Sequence, residues 1–425
     1  MHRGLVLLIA AACTGAEHDP VDVLARMGRI VADNAARLPN YACVETVERR
    51  YYRAKLSRSP RNCDDLSGEK KKRGYKLILE RTDRFRLEVR SGAVAELFSW
   101  PGDNRFEAQR PEQLVGYGPA ASGSFGALLF SIFQSDATEF AFLGERESSG
   151  RKLFAYSFRI PEAMSHFVVH TLQGGSLPAG FEGTILADPE TAEPVRLTTR
   201  TGELPSEAFC CEITSAFDYG RTRTGADSLL LPTEARQRFI ERSGVETENI
   251  TTFSDCREFR GESPPRNLGP PLAIRAGLPV MIALGARIDS ATAAAGDRFV
   301  GTIAKPVEDA GQIVLPKGAL VEGRITKVEV RTQPQAVTID LAVETVEVGG
   351  AAVPFHVTGP PPDTRSKLEK VLSELRIGAG GLSTRPVARP PVPAPGEPRS
   401  SELHFPGERA ILDRGFQTEW ITVKP

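Results

Sequence analysis

The residues of this chain best suited to chemistry are few, and their spacing argues more for structure than for catalysis. His166 and His170 form the one close histidine pair of six histidines. Four residues apart, they share a face of a helix or a strand, which opens acid–base or metal chemistry to them. The intervening Phe167-Val168-Val169 reads as sheet core, and His18, His356 and His404 are too far off in sequence to supply an evident third ligand. The expectation is a structural pair and no metal. Carboxylates are numerous, but Asp188 and Glu190 fall in an Asp-Pro-Glu-Thr string where Asp bonds its own backbone. A glycosidase-type pair would meet in space and leave no spacing to read, so a hydrolase with a spatially assembled site stays the second alternative. G-x-S-x-G, P-loop, dinucleotide and HExxH patterns are absent, and Ser122-Gly-Ser-Phe-Gly126 lacks the first glycine of a nucleophile elbow. Nothing therefore assigns a catalytic residue or a cofactor, and the reading is of a protein without catalysis.

Six cysteines form the second group: Cys13, Cys43, Cys63, Cys210, Cys211 and Cys256. Their chemistry depends on the compartment. Arg3 followed by the short apolar run Gly4–Ala12 and the small-x-small string Thr14-Gly15-Ala16 reads as an export signal over residues 1–16. Ala10-Ala11-Ala12-Cys13 is also an imperfect lipoprotein box, so Cys13 is a lipidation candidate and the expected address is the periplasm or the outer membrane, with or without a lipid anchor. In an oxidising compartment Cys43, Cys63, Cys210, Cys211 and Cys256 are disulfide candidates, with one left over. Cys43 and Cys63 are the nearest pair in sequence. Cys256 has Cys210 and Cys211 as partners, but adjacent strand residues face opposite ways, so only one of them suits it. Each loop closed would stabilise by roughly 3–4 kcal/mol. No C-x-x-C string exists, which argues against zinc and against a redox dithiol.

The third group is apolar. Phe125, Leu128, Leu129, Phe130 and Phe133 belong to a short helix, expected at about 124–135, that is apolar on most of its circumference. Such a helix needs burial on several sides. It either plugs the concave face of a sheet or lines a pocket for a lipid or a hydrophobic peptide. These five are the candidate ligand-binding residues. Lys70-Lys71-Lys72-Arg73 is the one basic cluster, read as a solvated loop. With 53 Lys and Arg against 54 Asp and Glu there is no basic excess for a nucleic acid. No stretch after the signal is long and apolar enough for a membrane span.

The elements that must position these residues change texture along the chain. Val21–Leu38 carries apolar residues at helical spacing after Asp19-Pro20. From Tyr41 the period is two. Val44–Arg49, Tyr75–Glu80 and Arg84–Val89 read as strands, the last two separated by a Thr82-Asp83 turn. Further strands are expected at Phe140–Leu143, Leu153–Ile160, Phe167–Thr171, Glu212–Tyr219, Leu229–Arg238 and Asn249–Phe253, with a Phe181–Ala187/Pro194–Arg200 hairpin around Asp188-Pro189. Residues 17–262 thus predict a long antiparallel sheet with two helices to cover one face. A proline-rich linker, 263–273, leads to short strands between glycine turns over 274–358, the pattern of a small β-barrel. Residues 359–405 predict an insert with a helix at Ser366–Ile377 and a proline tether, and 406–425 a terminal strand completing the barrel. The fold class is mainly β (α+β): a curved antiparallel half-barrel sheet with plugging helices, then a small barrel.

Two resemblances accompany this reading. Leu278–Leu284, Asp289–Ala304 and Ile313–Val328, with turns around Gly296-Asp297 and Pro316-Lys-Gly318, resemble the β-barrel domain of TrbI-type conjugation and type IV secretion proteins. The early helix and the Phe181–Leu197 hairpin are similar to the periplasmic lipoprotein-carrier and sigma-regulator sensor fold, a curved sheet with helices in its concavity. The layout also resembles secreted bacterial two-domain proteins without an assigned activity. The second resemblance implies an envelope protein holding a lipid or hydrophobic ligand on the concave sheet. The first implies a fold more than membership of a secretion channel; the alternative function is a structural adaptor, with the barrel, the Ser366–Ile377 helix and the proline tether docking onto an envelope or secretion assembly.

Overall fold

A computed structural model provides the architecture, and describes residues 18–55, 63–66, 76–92, 95–103, 105–108, 110–115, 118–120, 123–224, 227–262, 268–270, 272, 274–359 and 401–424. The expected export signal with Cys13, the Lys70–Arg73 run and the expected Ser366–Ile377 helix with its tether lie outside those residues.

The N-terminal part runs α1 (Pro20–Arg37), β1 (Tyr41–Lys55), α2 (Cys63–Leu66), β2 (Lys76–Ser91), β3 (Glu96–Ser99), α3 (Glu112–Val115), α4 (Ala127–Gln134), β4 (Glu139–Ser148), β5 (Arg151–Ile160), β6 (Val168–His170), β7 (Ser176–Pro178), β8 (Phe181–Ala187), β9 (Pro194–Thr201), β10 (Cys210–Thr224), β11 (Asp227–Glu241) and β12 (Val245–Glu258). Its main sheet is antiparallel throughout, in the order β4-β5-β8-β9-β10-β11-β12-β1-β2-β3. Strand alternation sends Val47, Arg49 and Tyr51 of β1 to the concave face and Glu48 and Arg50 outward. Outside, arginine–carboxylate pairs such as Arg84–Glu48 and Arg236–Glu234 cover the sheet; each contributes little by itself.

α1 starts where its sequence says it should: the Asp19 carboxylate accepts the Val21 amide at 2.9 Å and Pro20 occupies the first turn. Val23, Met27 and Val31 bury one stripe against the sheet. Asn34 finishes that stripe, and its side-chain amide donates to Leu230 O at 2.9 Å and accepts Leu230 N at 2.8 Å, docking the helix on β11. The β8–β9 hairpin turns at Asp188, whose Oδ1 accepts the amides of Glu190 and Thr191.

Two sequence expectations are corrected here. Thr82-Asp83 is no turn; β2 runs unbroken from Lys76 to Ser91, with Asp83 opposite Arg49 of β1. The buried Asp83 carboxylate takes Arg49 Nε at 2.7 Å and Nη2 at 3.0 Å, so a turn-forming residue is held in a strand by its ion pair. Cys43 does not pair with Cys63. The disulfides are Cys43–Cys256, across neighbouring strands β1 and β12, and Cys63–Cys211, which ties α2 to β10; Cys210 is the free, buried thiol. Nearness in sequence misled because β1 and β12 lie side by side although 213 residues separate the bonded cysteines.

The C-terminal part comprises β13 (Pro279–Leu284), β14 (Ile288–Asp289), β15 (Arg298–Ile303), β16 (Val307–Asp309), β17 (Gln312–Leu315), β18 (Leu320–Thr332), β19 (Gln335–Val348), β20 (Ala351–Pro354), β21 (Val357–Thr358), β22 (Ser401–Pro406), β23 (Ile411–Leu412) and β24 (Gln417–Thr422). Pairings β13–β15, β15–β18, β18–β19, β19–β20, β21–β24 and β24–β13 close a ring, with β20 and β21 as halves of one bent strand. Val280, Ile282, Phe299, Ile325, Ile339, Leu341 and Trp420 fill it, and Trp420 Nε1 donates to Thr418 Oγ1 at 2.8 Å. β22 falls in the stretch expected to be an insert. It pairs with β19 because Leu403 and Phe405 alternate onto the barrel core.

The two parts share backbone. Arg81–Asp83 of β2 pair with Glu329–Arg331 of β18, so the sheet continues into the barrel. Arg86 N donates to Ala295 O at 2.7 Å and Ala295 N to Arg84 O at 2.9 Å. Arg324 of β18, itself buried, reaches back to Asp103 at 2.9 Å beneath the Trp100 ring. Gly296 sits in this seam at φ +102°, where a Cβ would come 2.2 Å from Arg86 O, so glycine is demanded twice over.

Candidate functional site

The half-open apolar surface of the N-terminal part lies where α4 meets the edge of the sheet. α4 is apolar on nearly all sides, yet only Leu129 and Ile132 are buried within it. Of the five residues singled out from sequence, Phe125 is fully buried just before the helix, against Phe253 at 5.7 Å between ring centroids. Leu129 is buried on the α1-side core. Leu128, Phe130 and Phe133 pack on that core and remain half exposed. The structure therefore brings four of the five onto one cluster and puts Phe125 in a neighbouring one.

From Phe133 an aromatic track crosses the concave face. Phe133 stacks on Phe140 of β4 at 5.3 Å, Phe140 approaches Phe158 of β5 at 6.5 Å, Phe158 meets Phe181 of β8 at 6.0 Å, and Phe181 meets Phe167 at 5.6 Å. Phe142, two residues along β4 and on the same face as Phe140, lies 5.2 Å from Phe154 and 5.4 Å from Tyr156. Phe142 and its bulged neighbour Leu143 are each 44% exposed. β4 is the edge of the sheet, bonded only to β5 among the described strands. Large apolar side chains at a free edge are normally blunted or covered. Alternation in Glu139-Phe-Ala-Phe would have revealed Phe140 and Phe142; nothing local marks Phe158 and Phe181 as their partners.

The concave face is otherwise filled. Of the two sequence alternatives for α4, a plug or the wall of a pocket, the helix packs as a plug: two cavities stand out among the described residues, and neither is lined by α1 or α4. One is a trough of about 310 Å³ whose floor and rim include Thr198, Thr214, Ala216, Arg236, Arg238 and Glu248, residues of outward register. The other is a crevice of about 10 Å³ at the seam between the two parts, beside Arg49 and Asp83. α1 and α4 with their side chains take the space a ligand would need.

Buried acids lie under the loop that leads into α4. Glu96 of β3 accepts Gly123 N at 2.6 Å through Oε2 and Phe125 N at 2.9 Å through Oε1, replacing the side-chain cap that α4 lacks. Gly126 follows because a Cβ there would come 2.5 Å from Leu38 at the end of α1. Burial pushes the Glu96 carboxyl up to about 7 against the pull of these amides. Glu45 of β1, also buried, is raised well above the carboxylate range by burial and then by Glu96. Neither acid carried any signal in the sequence.

The histidines do not form a site. Between them Val169 is buried in a small core and Val168 is exposed; His166 is exposed ahead of β6, and His170 sits half-buried on the small β6–β7 hairpin with Nδ1 3.4 Å from Ser176 Oγ. Among the described residues no group of three or more His, Cys, Asp and Glu is placed to hold a metal ion. The Cys210 thiol is pushed up to about 12 by burial, the opposite of a reactive thiolate. No helix among the described residues is long and apolar enough to cross a membrane.

Three solved structures are similar to this chain at low sequence identity. A LolA superfamily protein from Nitrosomonas europaea is 11% identical, covering 57% of this chain and 94% of its own, with a TM-score of 0.27. A domain from Vibrio parahaemolyticus named for outer membrane lipoprotein sorting is 13% identical over 56% and 95%, with a TM-score of 0.28. A DUF1329 family protein from Desulfovibrio piger is 13% identical over 56% and 95%, with a TM-score of 0.23. No family model matches the chain, and no curated protein matches it.

Proposed function

We propose that this is a non-catalytic, exported envelope protein that takes up a lipid or other hydrophobic ligand at the concave face of its N-terminal sheet, with α4 as a displaceable plug. One observation carries the reading. An eight-residue helix with almost no polar side chains leaves Leu128, Phe130 and Phe133 only partly buried, where Phe133 stacks on Phe140 of the edge strand β4, and the same strand exposes Phe142 and Leu143. An acyl chain laid along Phe133, Phe140 and Phe142 would remove this surface from water at about 25 cal/mol per Å². Because the concave face is filled, deeper insertion requires α4 to move, so the ligand substitutes for contacts the plug makes when seated. The two disulfides support an oxidising compartment. The closed ring of the C-terminal part supports its likeness to the TrbI-type barrel, which we propose at the level of fold.

The test is uptake of a fluorescent acyl-chain probe, with native mass spectrometry for co-purifying lipid. Phe130→Asp combined with Phe133→Asp should reduce uptake at least tenfold, with circular dichroism checking that the sheet is retained, since both positions are only partly buried. Unchanged uptake would sink the proposal.

A further inference from the structure

The plug is seated over acids. Phe125, at the start of the α4 segment, lies on Phe253, and Phe253 is the cross-strand partner of Glu45. Glu96 is 3% exposed and Glu45 2%. Glu96 holds the Gly123 and Phe125 amides, whereas no hydrogen bond is among the influences on the Glu45 carboxyl, which are burial and Glu96. The titratable groups that feel Glu96 are Glu45 from β1 and the phenol of Tyr219 from β10, each raised first by burial and then by Glu96, whereas Glu96 itself is raised by burial. Ser91, opposite Glu96 on β2, is neutral; the α4 loop supplies backbone amides, and the end of α1 supplies Leu38. No arginine or lysine is among the hydrogen-bond partners of either acid.

We infer that unseating α4 is coupled to proton release: Glu45 and Glu96 are protonated beneath the seated plug, and a rise in pH from mildly acidic to mildly alkaline opens it. This rests on the plug reading above. The direction follows from linkage. Both carboxyls titrate higher when the plug is seated than when water reaches them, so the seated state binds more protons and is favoured as pH falls. Deprotonated, the two acids would be like charges in a dry site, which amide hydrogen bonds to Glu96 only partly offset. Opening hands the protons to water, and no other reactant is needed. Gly123 and Phe125 then lose their acceptor, so the first turn of α4 is released with the rest.

Hydrogen–deuterium exchange of the whole protein, read on peptides covering residues 123–134 and corrected for intrinsic rates, tests this without any ligand. Moving Glu96 from its ordinary 4.5 to about 7 predicts that opening rises about thirtyfold between roughly pH 5.5 and 8.5. Glu96→Gln with Glu45→Gln should flatten that response. Glu45→Gln alone leaves the Glu96 cap intact, removes one of the two protons released, and should make the response smaller without abolishing it. The same pH response in the double variant as in the wild type, or no response in the wild type, overturns the inference. Acyl-probe uptake, measured separately, keeps the two readings apart: uptake lost in the Phe130/Phe133 variant with pH-independent exchange retains the ligand site and removes the proton coupling.

Discussion

Arg49→Met is the most incisive single perturbation of this fold. Arg49 and Asp83 meet on the concave face with side chains 3% and 5% exposed, through two charge-assisted bonds of 2.7 and 3.0 Å; the Tyr51 hydroxyl adds a third to Asp83 at 3.2 Å. The guanidinium also lies 4.9 Å from the Phe85 ring centre. Methionine keeps much of the side-chain volume but leaves a carboxylate in a dry site, which costs about 3–5 kcal/mol when one member of a buried pair is removed. For a unit of a few hundred residues each kcal/mol lowers Tm by about 2–4 °C, so a fall of roughly 6–20 °C is expected. Arg49→Met with Asp83→Leu should recover most of it, because two apolar side chains replace the pair and no orphaned charge remains. Thermal and urea unfolding followed by circular dichroism and by tryptophan fluorescence is the assay. The two tryptophans report on different places, Trp100 on the seam beside Arg324 and Trp420 on the barrel core. Since Asp83 lies on β2 opposite Glu329 of β18, the Trp100 transition should move with the sheet. A single variant costing under about 1 kcal/mol, or a double variant costing the sum of the singles, would refute the account of this pair.

Two further outcomes are expected. Non-reducing peptide mapping should find Cys43 joined to Cys256 and Cys63 to Cys211, with Cys210 alkylated only after unfolding; a Cys43–Cys63 peptide would overturn the strand arrangement, and removing either bridge should cost about 2–5 kcal/mol. Gly296→Ala should loosen the seam by more than 1 kcal/mol, roughly the strain of its positive φ alone, because its Cβ would strike Arg86 O and the Trp100 ring; the readout is the Trp100 fluorescence transition, with a Trp420 signal that changes less.

Most elements were legible because their signals are local. Asp19-Pro20 and the Val23, Met27, Val31 spacing set α1. Alternation and Asp188 set the β8–β9 hairpin, and Gly-rich turns punctuated the barrel strands. Thr82-Asp83 misread as a turn because Asp carries a local preference that a distant partner, Arg49, overrides. The candidate site was half legible. The apolar α4 stood out, and so did its need for burial on several sides. Glu96, Glu45 and the ring partners Phe158 and Phe181 did not, since each acts only through residues brought to it by strand pairing.

What this sequence determines unaided is therefore the set of parts: a capped helix, a long run of antiparallel strands, an apolar plug, a second run of barrel strands and cysteines with one in excess. Period and turn chemistry act within a few residues, and composition needs no structure at all. Tertiary structure alone decided which cysteines meet, that β2 and β18 fuse the two parts into one sheet, that the concave face is filled, and that two acids lie beneath the plug. Those outcomes join residues tens to hundreds of positions apart, and only the closed register of the sheet brings them within bonding distance.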